Sequence, residues 1–254
     1  MAIRSLVAAC LMCCSVIGVG QTSGRFYLEK PVYARGEPIF VYFQVVNDGS
    51  KAETFDSVDP YSPCSGYQFS VSSDRPHPSC GPSGPRGISI SCGVSSVVLL
   101  PGEKRIERVL LNFGHKVDTP GQYTVQAARG GLFPREFKDT LEVHSALHFQ
   151  VSENAAKAKV FQRWVDQLRS TDGTKRLEAA RTLASLAPPS LEDTLLTFAG
   201  DPWIQQFAPL ALHRLNTPRS MAALAEFLAK TEPGTWEHQK AADYLARDQC
   251  GDEF

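Results

Sequence analysis

The apolar residues of this 254-residue chain change their period near residue 152. Upstream they alternate every second position; downstream they recur every three or four. A period of two sends successive side chains to opposite faces of a strand, whereas a period near 3.6 stacks them along one face of a helix. A chain holding both patterns in that order is restricted to an all-β unit followed by an all-α unit. The expected boundaries are 1–20 for a leader, 21–152 for the β unit and 153–254 for the helical unit. Each folded unit is long enough to bury a core of its own.

In the β unit, Ile39, Val41, Phe43 and Val45 share one face of a run that ends at Asn47-Asp48-Gly49. Similar runs lie at Tyr67–Val71, Val97–Leu100, Ile106–Leu111, Tyr123–Ala127 and Leu147–Val151, separated by Pro101-Gly102, Pro120-Gly121 and Gly130-Gly131. About seven or eight short strands with such turn signals indicate a β-sandwich. The stretch Asp118-Thr119-Pro120-Gly121-Gln122-Tyr123-Thr124-Val125 resembles the tyrosine corner of immunoglobulin-like folds, in which a Tyr hydroxyl bonds back to the upstream backbone. Val125 stands where antibody domains carry a cysteine, so the resemblance is to the broad immunoglobulin-like class of exported bacterial proteins. An ordinary Pro-Gly turn before a Tyr-bearing strand is the competing reading.

In the helical unit, Val160, Phe161, Trp164, Val165 and Leu168 share one helix face. Ser190 with Asp193, Asp201-Pro202, Thr217-Pro218 and Thr235 mark helix starts. Helices are expected at about 154–170, 174–187, 190–199, 202–215, 218–230 and 235–248, with Pro209 kinking the fourth. Ala179, Leu183 and Leu186 are repeated as Ala208, Leu212 and Leu215 after 29 residues, and in part as Ala241 and Leu245 after a further 33. This resembles a short run of HEAT repeats, which implies protein–protein contact as the usual role. An irregular six-helix bundle is the alternative.

The first twenty residues carry a single charge, Arg4, ahead of an apolar run from Leu6 to Val19 that closes on Gly18-Val19-Gly20. This reads as a secretory signal cleaved before Gln21, with a periplasmic or extracellular destination. The run of roughly 14 residues falls short of the roughly 20 that span a bilayer. A retained anchor, or a lipoprotein through Cys10 or Cys13-Cys14, are the other readings, and no later segment is apolar enough to cross a membrane. Losing Arg4 leaves 25 basic against 27 acidic residues, near −2. Such a chain lacks the basic field that nucleic acid demands.

Cleavage also removes three of the seven cysteines, leaving Cys64, Cys80, Cys92 and Cys250. In an oxidising compartment these are disulfide candidates. A hairpin of Tyr67–Ser73 with 87–92 would place Cys64 opposite Cys92, closing a loop of roughly 28 residues for about 3 kcal/mol. Cys80–Cys92 is the rival pairing, and a zinc site from Cys64, His77, Cys80 and Cys92 has the residue types but not the spacing of a finger.

No nucleophile elbow, zinc helix or phosphate loop is present, so no catalytic residue, metal or cofactor is assigned. His144 and His148, four apart on an expected strand, lie about 13 Å from each other and cannot share an ion. Trp203 and Trp236 hold the same place in the repeat, which Thr174 takes in the first. Either each packs on the preceding helix pair, or together they form an aromatic surface for a partner. The loop 74–87, with four prolines and three glycines, offers Arg75, His77 and Arg86 as further contacts. The expected function is therefore a non-catalytic exported protein that binds or scaffolds another protein or peptide. The alternatives are an accessory or inhibitor module of an envelope hydrolase, and an enzyme with a convergent site.

Overall fold

The computed structural model of the chain describes residues 22–58, 61, 66–74, 94–130, 141–156 and 158–246. A strand-rich half is followed by a helical half. Ile39, Val41, Phe43 and Val45 are all buried, as their alternation requires. They belong to or adjoin β3 (Phe40–Asn47), the centre of a three-stranded sheet with β1 (Thr22–Leu28) and β7 (Lys104–Leu110), antiparallel throughout.

The chain leaves β1 at Leu28 and enters a second sheet at β2 (Val32–Arg35), which runs parallel to β9 (Val143–Ala155). That sheet continues through β8 (Gly121–Arg129) to β5 (Tyr67–Ser73). A smaller pair joins β4 (Glu53–Val58) to β6 (Val94–Leu99). Phe26, Phe43, Phe55, Val125 and Phe149 form one core fed by all three sheets. At Gly24 there is no room for a side chain, because an added Cβ would lie 2.7 Å from the Phe43 ring.

The turns follow the sequence signals. Pro101-Gly102 links β6 to β7 with Gly102 at φ +78° and Glu103 N–H donating to Leu100 O at 2.9 Å. Asn47 is wholly buried; its Oδ1 accepts from Gly49 N at 3.0 Å, and its amide donates to the carbonyls of Lys51 and Leu99. Tyr123, stacked on Phe149 with centroids 5.2 Å apart, donates its hydroxyl proton to the Thr119 carbonyl at 2.7 Å. The turned-back hydroxyl expected from the sequence is present.

Some expectations need correction. The strand β9 runs on to Ala155, paired there with Arg35, and the N–H of the following Ala156 still bonds to Arg35 O at 2.8 Å, so the helix expected from 154 is not yet formed there; α2 is described from Ala158. The one-turn helix α1 (Leu111–Gly114) lies within the strand-rich half. Beyond α2 (Ala158–Leu168) come α3 (Gly173–Leu186), α4 (Glu192–Leu196), α5 (Ala208–Leu215), α6 (Pro218–Lys230) and α7 (Trp236–Ala246), seven α-helices among the described residues. Ser190 sits in a 3₁₀ turn and does not cap α4, whose N-cap, Leu191, provides no side-chain bond. The single helix expected over 202–215 is a turn, a 3₁₀ segment at Gln205–Phe207 and then α5. Pro209 lies in the first turn of α5, where its missing N–H leaves no bond unmade, so it opens the helix and kinks nothing.

Helices α3, α5 and α7 pack side by side, with α4 and α6 against α5 and α2 against α3. Ala179, Ala208 and Ala241 are fully buried at the helix contacts, and Leu183 and Leu212 fill the seams between them. Asn216 and Ala187 end their helices in the left-handed region at φ 51° and 39°.

The two halves share a core. By alternation Phe40 should point to solvent, yet it is buried against Trp164 of α2, with ring centroids 6.0 Å apart. Leu110 joins the same cluster, and Arg108 covers Phe40 at 4.5 Å while pairing with Glu178 of α3.

Candidate partner-binding edge

Three turns lead into α3, α5 and α7, and each is held by a short polar side chain. The Asp172 carboxylate accepts from Thr174 N at 3.0 Å and Lys175 N at 3.3 Å; these bonds hold its pKa below the usual carboxylate range. Asp201 accepts from Trp203 N at 3.0 Å through Oδ1 and pairs through Oδ2 with Arg176 from the preceding turn. Thr235 Oγ1 accepts from His238 N at 3.3 Å. The Arg176–Asp201 pair ties the first helical turn of α3 to the turn before α5, on the edge formed by the N-terminal ends of these helices.

On that edge stand the two tryptophans. Trp203 is 66% exposed and Trp236 47% exposed, with Lys240 Nζ 5.6 Å from the Trp236 ring centroid. Thr174 is exposed at the equivalent place. Neither indole is buried between helices; Ile204 and Phe207, just after Trp203, fill the core in its stead. The edge lies at the N-terminal ends of α5 and α7, whereas the strand-rich half contacts α3 at Glu178 and Arg181 and reaches the C-terminal end of α5 at Arg214. Among the described residues it is therefore left open by the docking of the two halves.

The remaining sequence candidates are placed differently. Arg75, His77, Arg86, Cys64, Cys80, Cys92 and Cys250 lie outside the described residues. The described partner of β5 is β8, antiparallel in a register that sets Tyr67 opposite Arg129. His144 and His148 share the exposed face of β9, bonded to Glu142 Oε1 and Thr124 Oγ1 respectively, both at 3.1 Å. No group of three metal-ligating side chains among the described residues is placed to hold an ion. No helix among them is long and apolar enough to cross a membrane.

Two clusters escaped sequence reading. Between the sheets, buried Glu107 accepts from Ser57 Oγ at 2.5 Å, from the Tyr67 hydroxyl, and from Arg105 Nε at 3.3 Å. Buried Arg129 lies 4.5 Å over Phe55 and 5.3 Å over Phe43. Burial, then the charge of Glu107, pushes the Tyr67 hydroxyl far above its usual pKa, so it stays a neutral donor. The signal was a charge at an inward position: in β7, Arg105, Glu107 and Val109 share the face opposite exposed Ile106.

The second cluster is the joint. Arg181 lies 3.7 Å from the Tyr61 ring, whose hydroxyl accepts from Leu110 N at 2.9 Å. Arg214 Nη1 donates to Asn112 O at 2.6 Å and to Ser185 O, and Nη2 donates to Phe113 O at 3.3 Å. Its partners lie up to 102 residues away in sequence, where no local pattern can point to them.

Residues 161–246 match the family model described as HEAT repeats. No curated protein matches the chain significantly. Among solved structures, the β-glucosidase from Listeria innocua in complex with isofagomine is 15% identical, with a TM-score of 0.28, over 54% of this chain and 17% of the enzyme. A β-glucosidase from Erythrobacter marinus (15% identity, TM-score 0.25) aligns over 50% of this chain and 15% of its own length. One from Kluyveromyces marxianus in complex with glucose (17% identity, TM-score 0.24) aligns over 53% and 15%. The chain thus spans less than a fifth of these enzymes. A likeness at these TM-scores bears on neither fold nor activity.

Proposed function

We propose that the chain is a non-catalytic exported binding protein in which an immunoglobulin-like sandwich steadies a short HEAT-like stack, and that Trp203 and Trp236 are its contacts to a protein partner. The observation that carries this reading is the exposure of two indoles at equivalent turns, on an edge that the sandwich leaves open. Large aromatic side chains on rigid elements supply contact area at low entropic cost and dominate many interfaces. The HEAT-repeat match over the same residues supports a protein-interaction role. Parallel pairing of β2 with β9 and the Tyr123 hydroxyl bond support the immunoglobulin-like reading of the strand-rich half. Export rests on the Arg4-led apolar leader.

The test is crosslinked affinity capture from an envelope extract with the 21–254 protein and its W203A/W236A variant, followed by binding measurements on the recovered partner. Losing hot-spot tryptophans costs at least ~2 kcal/mol, or about 30-fold in Kd. Equal affinity of the two proteins for that partner, or no specific partner at all, would refute the assignment.

A further inference from the structure

The four-stranded sheet turns Tyr33, Tyr123, Val125 and Phe149 into the core, so alternation sends the residues between them outward. Along β5, β8 and β9 those outward residues are glutamine, serine, threonine, alanine and histidine. No Asp, Glu, Lys or Arg stands among them from Glu142, just ahead of β9, to Asp74, just beyond β5. Ser70, Gln126 and Ala146 lie side by side in the middle row, and Ser72, Thr124 and His148 in the next. Thr124 is half-buried and the other five are exposed. At the β2 edge Val32 adds an apolar side chain, 46% exposed. The outward face of the three-stranded sheet differs: it carries Arg25, Lys104 and Arg108, and it receives the helical half at Phe40 and Leu110.

We propose that the charge-free face is where two copies of the chain pair, sheet on sheet, about a two-fold axis. A two-fold interface sets a surface against itself, so any charge near its centre meets its own like. This face has none to repel, and the centres of interfaces are depleted in charge for that reason. Its amides and hydroxyls each donate and accept, which lets every polar group find a mate on an identical face. A strongly charged partner would find no counter-charge here and would lose its hydration, which leaves a second copy as the occupant the chemistry fits best. The carboxylates of Glu142 and Asp74 fall at the rim, where water still reaches them.

The dimensions set the strength. Outward rows about 6.8 Å apart on strands about 4.8 Å apart give a face of roughly 450 Å² in each copy, or on the order of 1,000 Å² for the pair. That is the low end for a specific contact, so the dimer is reversible, with a Kd of about 1–100 µM. The pairing is independent of the assignment made for the tryptophan edge, which lies on the helical half.

Sedimentation equilibrium of the 21–254 protein at pH 7.5, from about 1 to about 500 µM, tests it, because that range brackets the expected Kd. The parent should pass from monomer to dimer. Gln126 is exposed, so Q126K and Q126E should fold with unchanged circular dichroism, yet each sets like charges across the two-fold and should weaken the dimer at least tenfold. An equimolar mixture of Q126K and Q126E should dimerise again. S70K and S70E serve in the same way should either Gln126 variant not fold. The proposal is overturned by a parent that stays monomeric throughout, by a dimer that either variant of the pair retains, or by a mixture that fails to reassociate. A dimer lost in W203A/W236A would place the contact on the other half and overturn it equally.

Discussion

Glu107 is the buried carboxylate on which three donors converge, Ser57, Tyr67 and Arg105. Removing it takes away the acceptor of the Ser57 and Tyr67 hydroxyls and the carboxylate paired with Arg105. E107A should therefore lose about 3–5 kcal/mol in urea unfolding, whereas E107Q, which keeps an acceptor, should lose less. Tyr123 makes a smaller contribution. Y123F gives up one hydroxyl bond and should cost about 1 kcal/mol in the same measurement. The contrast explains what was legible at this scale. The Tyr123 acceptor is four residues away, so a short motif encodes the bond. The Ser57 and Tyr67 partners of Glu107 lie 50 and 40 residues away, and all the sequence shows is a charge at an inward strand position.

Helix ends were readable wherever the cap was local. Thr217 and Ser220 form a reciprocal capping box at α6, as Thr217-Pro218 promised. T217A should cost about 1–2 kcal/mol, read as a drop in the midpoint of denaturant unfolding. Pro209 was misread because apolar spacing runs unbroken through 202–215, although the backbone first makes a turn and a 3₁₀ segment. The two readings predict opposite signs. A kink inside a long helix would make P209A stabilising by up to ~3 kcal/mol; a proline in the first turn makes it neutral or destabilising by less than about 1 kcal/mol, through a looser unfolded chain. Calorimetry of P209A distinguishes them. At Gly24, with the Phe43 ring in the way of any Cβ, G24V should cost about 1–3 kcal/mol.

Taken whole, the molecule shows why the junction could not be read from either half. Phe40 breaks the alternation of its own strand because a second surface covers it, and that surface belongs to a helix more than a hundred residues downstream. Trp164 looked like an ordinary helix-face residue for the same reason. With a common core, the halves should unfold at neutral pH in one transition. W164A should lower strand and helix signals together by about 3–5 kcal/mol, and separate transitions in the unmutated protein would contradict it.

The continuity of β9 into the helical half has a mechanical side. The strand ends at Ala155 and α2 is under way by Ala158, and β9 lies between β2 and β8. A load applied at the tryptophan edge and reacted at the sheet is therefore delivered along the axis of an interior strand. The ladders on both sides must then slide as a block rather than peel one bond at a time, which makes the strand-rich half a stiff mount from which the helices can be pulled.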